Sequence, residues 1–435
     1  MNAFKRICAL AVSAALAASC LTGCGSSGSA SSSAASSNPS FADSSSAPSV
    51  SIPETIDLST VTDPFLATAG IEGDTVVATV GELEITAGEL LYWAAYGGDS
   101  LSQYYSYYGL TQMPWDSTAD DGATLSDTLK KDALNTAAIY AALPIMAREE
   151  GLELSQDFID YVSSGLENMT TALGGEEIAN YFFWQYPLNT QLYTAMCESE
   201  EFSALLMEHL YGENGKEYPT DADIQAYAED ELNLYSVKHI LLASLDTTTR
   251  EPLDEKTVAQ KKATAEDLVA QLQASSDPIA LFEQLMHEYS EDPGLASYPD
   301  GYLEVYPGQM VTEFEEASLA LEVGQISGVV EAEGTGFHII LRLPLEIDTA
   351  AYRDSYVSEK MAAYQDEWLA EQTITTNDAY EQIDAGVFYD TLLVLRASID
   401  AKLAEITAEM EAAAGAESGT EADTSAADPS ASTAN

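Results

Sequence analysis

Two of the four histidines in this 435-residue chain occupy positions from which an imidazole could do chemistry. His239 and His338 each lie in a run of branched apolar residues, a pattern that predicts a β-strand. Strand alternation places His239 on one face with Val237, and His338 on one face with Ile340. A polar ring that faces a core needs a hydrogen-bond partner. Two such rings could satisfy each other on neighbouring central strands, although the composition alone favours two unrelated half-buried histidines.

Other kinds of catalytic site find no support in the sequence. It contains no Gly-x-Ser-x-Gly nucleophile motif and no glycine-rich phosphate loop. Its four cysteines and four histidines are too scattered for a zinc site, so we expect no metal and no cofactor. The 16 Lys and Arg residues face 72 Asp and Glu residues, which gives a net charge of −56. Such a charge repels a phosphate backbone, and we therefore exclude nucleic acid as a partner.

The two histidine-bearing strands begin and end a region with its own pattern of elements. Between about residues 235 and 345 the predicted order is strand, two helices, short strand, helix, strand and strand. This order is typical of an α+β domain with a mostly antiparallel sheet. The regions before and after it, about 75–233 and 350–414, are predicted to be helical. Pro144 lies inside the longest helical pattern and predicts a kink or break near Leu143.

The N-terminus has the pattern of a bacterial export signal. Lys5 and Arg6 precede an apolar run, which ends in a Leu-Thr-Gly-Cys sequence at Cys24 that resembles a lipobox. The resemblance implies cleavage before Cys24 and a lipid on its sulfur, with an ordinary signal peptide as the alternative. The Ser-, Ala- and Gly-rich stretch that follows cannot bury a core, and it predicts a flexible tether.

Seven short motifs between residues 235 and 345 resemble the parvulin peptidyl-prolyl isomerase family. They occur in the family's order and at nearly its spacing: His239-Ile240-Leu241, Tyr289-Ser290-Glu291-Asp292, Gly301-Tyr302-Leu303, Gly308-Gln309-Met310, Phe314-Glu315-Glu316-Ala317, Gly324-Gln325-Ile326-Ser327 and Gly336-Phe337-His338-Ile339-Ile340. The flanks, from Val77 to Leu90 and from Tyr218 to Tyr227, are similar to PrsA/SurA-type foldases. The resemblance implies a parvulin domain between helices that form a chaperone domain.

The resemblance also implies a set of site residues. The catalytic positions are His239 and His338, which match the paired histidines, Asp292, which stands where the family has Cys or Asp, and Thr335, a hydroxyl residue beside the second histidine. Met310 and Phe314 would receive the proline ring, and Gln309 lies beside them in the same Gly-Gln-Met motif. We expect the histidines to orient their neighbours rather than to act as nucleophiles.

One segment departs from the family pattern. The common Gly-Gly-Asp/Glu-Leu-Gly sequence is here Pro299-Asp300-Gly301-Tyr302-Leu303-Glu304, so that one glycine is lost and Glu304 replaces another. This change leaves the catalytic efficiency open. It also keeps a non-catalytic holdase, with a degenerate parvulin domain, as the alternative function. The loop after Ala243 lacks the basic cluster of phosphate-directed parvulins, so we expect no requirement for phosphoserine.

The predicted fold class is α+β, with a parvulin domain of antiparallel sheet and surrounding helices inserted between mostly α-helical chaperone segments. Six ranges follow: a lipoprotein signal peptide at 1–23, a flexible tether at 24–65, a helical PrsA/SurA-like domain at 66–234, the parvulin domain at 235–346, a C-terminal helical segment packed on the N-terminal domain at 347–414, and a disordered acidic tail at 415–435.

The predicted function is that of an exported, lipid-anchored prolyl isomerase and foldase at the outer face of a bacterial cell membrane. Its expected partners are unfolded or partly folded secreted polypeptides with X-Pro bonds, while the individual clients and the oligomeric state, a dimer included, stay open. A solute-binding lipoprotein is disfavoured because the long region before residue 235 lacks alternating strands and helices. The aromatic segment Tyr92–Trp115 is predicted either to fill a core beneath a loop or to expose a surface for unfolded chains.

Overall fold

The computed structural model describes residues 52–119 and 121–420, with side chains up to residue 412. This part of the chain separates into two compact units. The inserted unit is Glu217–Ser358, and the flanking unit combines the segments before and after it. The predicted signal peptide and the lipidation candidate Cys24 lie outside the described residues.

Helices make up most of the described chain. Their bounds are α1 Pro64–Ala69, α2 Ala87–Tyr107, α3 Leu125–Glu149, α4 Gln156–Leu173, α5 Glu176–Gln185, α6 Thr190–Tyr211, α7 Asp221–Asp230, α8 Glu255–Ala274, α9 Pro278–Tyr289, α10 Thr312–Leu319, α11 Thr349–Ala370, α12 Asp378–Gln382 and α13 Ala385–Thr420. The strands are β1 Val76–Val80, β2 Leu83–Thr86, β3 Tyr235–Ala243, β4 Tyr302–Val305, β5 Val330–Ala332, β6 Gly336–Leu343 and β7 Ile374–Thr376. Within residues 52–119 and 121–420, none of these helices combines the length and apolar character needed to cross a bilayer.

The flanking unit joins the two ends of the described chain. Its sheet has the order β2-β1-β7, and both pairings are antiparallel. Helix α13 packs against α1, α2, α3 and α5. Phe388, Leu392 and Leu395 of α13 are fully buried in the same core as Leu90 and Leu91 of α2. The unit is therefore complete only when the segments on both sides of the inserted unit are present.

Three expectations about the flanking unit are corrected by the structure. The predicted tether is ordered over its described end, because Phe65 is buried in the core and the Ile56 amide donates to Ser398 Oγ at 3.1 Å. Helix α3 runs through Pro144, so that the predicted break is absent, and it packs against α2 and α6. Helix α13 continues to Thr420, six residues into the predicted tail, where an alanine-rich sequence favours helix.

The aromatic segment of α2 divides between core and surface. Helix α2 starts at a capping box, in which the Glu89 amide donates to Thr86 Oγ1. Tyr92 is buried, whereas Tyr104 is 58% exposed and Tyr107 is 85% exposed. Tyr104 and Tyr107 lie one turn apart on the last turns of α2, so they share a face of the helix. The segment is helical up to Tyr107, and its C-terminal part presents tyrosine rings to solvent.

The inserted unit has the predicted order of elements and a four-stranded antiparallel sheet, β4-β3-β6-β5. Helices α8 and α9 cover one face, where they pack on Ile240, Phe337 and Ile339. Helix α10 packs against β3, β5 and β6 and carries the buried Phe314. The residues buried with Phe314 include Val237 and Ile340 of the sheet, so α10 lies on the opposite face from α8 and α9.

A bulge shapes the edge strand β4. Tyr235 pairs with Val305 and Val237 pairs with Tyr302, so that β4 carries one more residue than β3 between these two pairs. Within the bulge, Glu304 adopts a left-handed conformation with φ of 52°. The Tyr352 hydroxyl donates to the Glu304 carboxylate at 2.8 Å, which helps to hold this unfavourable backbone conformation. The replacement of a family glycine by Glu304 is thus accommodated at a position that still has the backbone geometry of glycine.

Candidate active site

The two strand histidines meet on the face of the sheet that α10 covers. Strands β3 and β6 pair so that His239 lies opposite Ile340, and His338 lies opposite Leu241. The two histidines are therefore diagonal neighbours on one face. Their ring centroids are 5.2 Å apart with a 71° angle between the planes, and the Phe314 ring lies 5.1 Å from each of them.

The predicted hydrogen bond between the two imidazoles is not formed. Both ring nitrogens of His239 and the Nδ1 atom of His338 are buried without an aligned hydrogen-bond partner among the described residues. The diagonal register brings the rings together edge to face, so neither nitrogen points at the other ring's nitrogen. The two rings are thus neighbours, but they do not satisfy each other by a hydrogen bond.

Asp292 supplies a carboxylate at the edge of the histidine pair. Its Oδ2 atom lies 3.1 Å from His239 Nε2, although off the direction of the ring N–H, and it accepts a 2.8 Å hydrogen bond from the Tyr302 hydroxyl. Its Oδ1 atom accepts from the Gly294 amide at 2.9 Å. Burial raises the pKa of Asp292, but the polar contacts of His239, Gly294 and Tyr302 outweigh it and lower the pKa to about 2. Asp292 is therefore ionised at neutral pH.

The segment after α9 positions Asp292 by attaching itself to β3. The Glu291 amide donates to the Leu241 carbonyl at 2.8 Å, and Ser290 Oγ accepts from the Leu241 amide at 3.1 Å. The Glu291 carboxylate accepts from the Ala243 amide at 2.8 Å and pairs with Lys261. These bonds fix the backbone on both sides of the peptide that leads into Asp292.

Thr335 lies beside His338 and orients its ring. Thr335 Oγ1 is 3.0 Å from His338 Nε2 and donates to the Ala332 carbonyl at 3.2 Å. The Thr335 hydroxyl thus holds the His338 ring through its Nε2 atom. Burial, together with a smaller effect of the neighbouring His239, lowers the pKa of His338 to about 3 against an opposing effect of Asp292. His338 is therefore neutral at physiological pH.

The predicted proline-binding residues divide into two groups. Phe314 is buried, and the partly buried Met310 packs in the same apolar cluster, so both form part of a floor next to the histidines. Gln309 is exposed, and its Oε1 atom accepts from the Tyr306 amide at 3.2 Å within its own turn. The structure thus joins Met310 and Phe314 to the site and directs Gln309 toward its own loop.

Tyr302 is a site residue that the sequence interpretation did not select. Its ring lies 5.6 Å from the His239 ring, and its hydroxyl contacts the same Asp292 oxygen that faces His239. The signal was its position in the departing Gly301–Glu304 segment, where the family has Asp or Glu. The lost glycines are the more conspicuous change in this segment, and they do not indicate the hydroxyl at position 302.

No described group of side chains is arranged to hold a metal ion. Across residues 52–119 and 121–412, three or more His, Cys, Asp or Glu side chains nowhere form a cluster suitable for one. The site itself presents one carboxylate, two imidazoles and two hydroxyls above an apolar floor.

Parts of the chain are similar in sequence to known proteins. Residues 239–343 match the family profile described as Rotamase, PPIC-type PPIase domain. The chain is 40% identical over 83 residues to a foldase protein PrsA of Geobacillus kaustophilus, which covers 19% of this chain and 28% of that protein. It is 27% identical over 306 residues to foldase protein PrsA of Halalkalibacterium halodurans, covering 67% of this chain and 82% of that protein.

A solved PrsA structure from Bacillus cereus is 21% identical, covers 63% of this chain and 90% of that chain, and gives a TM-score of 0.24. Matches to three of the curated relatives, including the one from Geobacillus kaustophilus, span 28% to 36% of those relatives' own length. Residues 239–343, which carry the His239, His338 and Asp292 cluster, thus match the PPIC-type PPIase domain, and the chain is similar to the PrsA foldases.

Proposed function

We propose that the inserted unit catalyses cis–trans isomerisation of X-Pro peptide bonds, and that the whole chain is an exported, lipid-anchored foldase for secreted proteins. The observation that carries the proposal is the convergence of His239, His338 and Asp292 next to Phe314 on one face of the sheet. These groups are far apart in sequence, and a structural role in the core alone gives no reason for an ionised carboxylate beside two buried imidazoles.

The site suits a reaction in which no covalent bond breaks. Rotation about an X-Pro bond has a barrier of about 20 kcal/mol because twisting removes the amide resonance. A catalyst has to bind the twisted amide better than the planar forms. Phe314 and Met310 would hold the proline ring through apolar contact. The negative charge of Asp292, placed near the carbonyl oxygen, would disfavour the charge-separated resonance form that gives the C–N bond its double-bond character.

The two histidines would maintain this electrostatic environment. His338 is held neutral and is oriented by Thr335, so that it adds no positive charge to offset Asp292. His239 lies between Asp292 and His338 and separates the carboxylate from the core. Their role is thus to position groups and exclude water around the rotating amide.

An isomerisation assay on a short proline peptide tests the enzymatic part. We expect measurable kcat/KM for the full chain and a loss of about 10-fold or more in Asp292→Asn, which keeps the shape and removes the charge. Asp300→Asn, an exposed aspartate in the following loop, is the matched control and is expected to keep full activity. A full-length protein without activity, or an Asp292→Asn variant as active as the control, would refute the assignment.

The export and anchoring part rests on the sequence around Cys24. Metabolic labelling with an alkyne-tagged fatty acid in a bacterial host is expected to label the chain, and Cys24→Ser is expected to abolish the label. Equal labelling of both proteins, or of neither, would remove the anchor from the proposal. The individual clients would be secreted polypeptides that expose X-Pro bonds before they fold.

A non-catalytic holdase is the second candidate function, and the exposed tyrosines of α2 favour it. Tyr104, Tyr107 and Tyr108 project from the end of this helix with 58% to 85% of their surface exposed. Aromatic side chains offer large contact area at low cost in conformational entropy. Suppression of aggregation of an unfolded protein by the Asp292→Asn variant, and its loss in a Tyr107→Ser, Tyr108→Ser double variant, would assign a holding function to the flanking unit that is independent of the isomerase site.

A further inference from the structure

We propose that Tyr302 is a positioning residue for the isomerase site, and that its hydroxyl holds the Asp292 carboxylate in place and in its charged form. This inference rests on the proposed isomerase function and adds to it a residue at which the chain departs from the family sequence. Its basis is the 2.8 Å hydrogen bond from Tyr302 Oη to Asp292 Oδ2, the oxygen that also lies 3.1 Å from His239 Nε2.

The fold brings Tyr302 to this position through the register of β4. Tyr302 pairs with Val237, and paired residues of an antiparallel ladder project to the same face, which is also the face of His239. Gly301 permits the close approach of β4, because a Cβ atom there would lie 2.5 Å from the Val237 carbonyl oxygen. On its other side, the bulge that contains Glu304 lies between Tyr302 and the next pair of the ladder, Val305 and Tyr235. Tyr302 is thus fixed from both sides.

The surroundings of Asp292 make this hydroxyl important. Of the Asp292 oxygens, Oδ1 is occupied by the Gly294 amide, and Oδ2 meets only His239 and Tyr302 among the described contacts. The His239 contact is not aligned as a hydrogen bond. The Tyr302 hydroxyl is therefore the aligned donor to Oδ2, and hydrogen bonds to an ionised group are about twice as strong as those between neutral groups.

The types of residue at positions 292 and 302 fit each other. An acidic side chain at position 302, as in the common family sequence, would project to the same face as Asp292 and place two carboxylates together. When two carboxylates lie next to each other, their repulsion raises the pKa of one of them. A tyrosine at this position instead donates to the carboxylate, and its own pKa is raised by burial and by Asp292, so that it stays protonated.

The titratable groups that face Asp292 from neighbouring elements are few. Among the described residues they are His239 on β3, His338 on β6 and Tyr302 on β4, and the ring of Tyr298 in the preceding loop lies 5.0 Å from the Tyr302 ring. Of these, only Tyr302 donates an aligned hydrogen bond to Asp292. A change in the protonation behaviour of Asp292 on removal of one hydroxyl can therefore be traced to this bond.

The test is Tyr302→Phe, which removes one oxygen atom and keeps the ring. We expect the pKa of Asp292, followed by the ¹³C shift of its carboxyl group in full-length protein, to rise by about one unit. We expect kcat/KM to fall about 10-fold at neutral pH, with its acid limb displaced upward by the same amount. Tyr298→Phe, the neighbouring exposed tyrosine, is the matched control and should leave both measurements unchanged.

A double variant separates positioning from a general effect on folding. In the Asp292→Asn background, Tyr302→Phe should cost no further activity, since the residue acts through the carboxylate. In the wild-type protein the Tyr302 hydroxyl proton should be protected from exchange with solvent, a measurement that needs no variant. An unchanged carboxyl titration in Tyr302→Phe, additive losses in the double variant, or a freely exchanging hydroxyl would each overturn the inference.

The carboxyl titration also separates this inference from the proposed function. If the wild-type chain fails to isomerise proline peptides, the enzymatic proposal fails, while the titration still decides whether Tyr302 controls Asp292. If the wild-type chain is active and Tyr302→Phe behaves as wild type in both readouts, only the role of Tyr302 is refuted.

Discussion

His338 is expected to make the inserted unit sensitive to mild acid. Burial lowers the pKa of this histidine in the folded state to about 3, whereas an unfolded histidine has a pKa of about 6.5. Between these two pKa values the histidine is protonated in the unfolded state and neutral in the folded state. The free energy of unfolding therefore decreases as the pH falls from 6.5 toward 3. One pKa unit corresponds to about 1.4 kcal/mol, so this one group should reduce the free energy of unfolding by about 2 kcal/mol between pH 7 and pH 5.

The perturbation that isolates this effect is His338→Gln, which places an amide nitrogen near Thr335 and cannot titrate. Urea unfolding of the full chain at pH 7 and pH 5, followed through the methyl signals of Ile240 and Ile339 in the sheet, measures the inserted unit selectively. We expect the variant to lose about 2 kcal/mol less than wild type between the two pH values. His287→Gln removes an exposed histidine from the same unit and controls for the loss of one imidazole.

Direct observation of the histidine ring provides the second half of this assay. The Cε1–H signal of His338 should keep the shift of a neutral imidazole down to pH 5 in the folded protein, and should titrate near pH 6.5 in 8 M urea, about the value of a free histidine. The reasoning is refuted if the folded signal titrates near 6.5, or if wild type and His338→Gln lose equal stability on acidification.

Three further outcomes follow from the packing. Gly301→Ala should destabilise the inserted unit by about 2 kcal/mol more than Gly308→Ala, measured by urea unfolding. Both glycines have positive φ, but only at position 301 would a Cβ atom meet a carbonyl of β3. Equal losses of stability in the two variants would contradict this. Arg396→Lys should lower the free energy of unfolding of the flanking unit by about 1 to 3 kcal/mol. The two hydrogen bonds from Arg396 to Asp99 of α2 need a planar guanidinium group, which lysine lacks. An unfolding curve that does not change would count against this prediction. Tyr352→Phe should cost about 1 kcal/mol and loosen the β4 bulge, visible as faster amide exchange there, and unaltered exchange would show that the hydroxyl does not hold the bulge.

The strands of the inserted unit were predictable because their sequence leaves little choice. The runs around Ile240 and Ile339 are continuous, branched and apolar, and they fit no other element of similar length. Alternation along them correctly assigned His239 and His338 to a common face once the strands were neighbours. The relation between the rings was not predictable, because it depends on a register that the apolar pattern alone does not set.

The position of Asp292 needed the family resemblance. Nothing in its local sequence indicates contact with a residue 53 positions earlier, and the structure makes that contact through backbone bonds of Ser290 and Glu291 to β3. Tyr302 was missed for a related reason, since its direction depends on the register of a four-residue edge strand. The strand β7 was not predicted either, because its three residues carry almost no pattern.

The pairing of β1 with β7 sets the order in which a nascent chain can complete its parts. About 300 residues separate the partners Ala78 and Thr376, while every bond of the sheet around His239 lies within the intervening stretch. A ribosome would release the whole inserted unit before it has made the strand that closes the flanking sheet. Folding of the N-terminal helices must therefore wait for the last segment, and truncation after Ser358 would leave their core open while the isomerase fold is already finished.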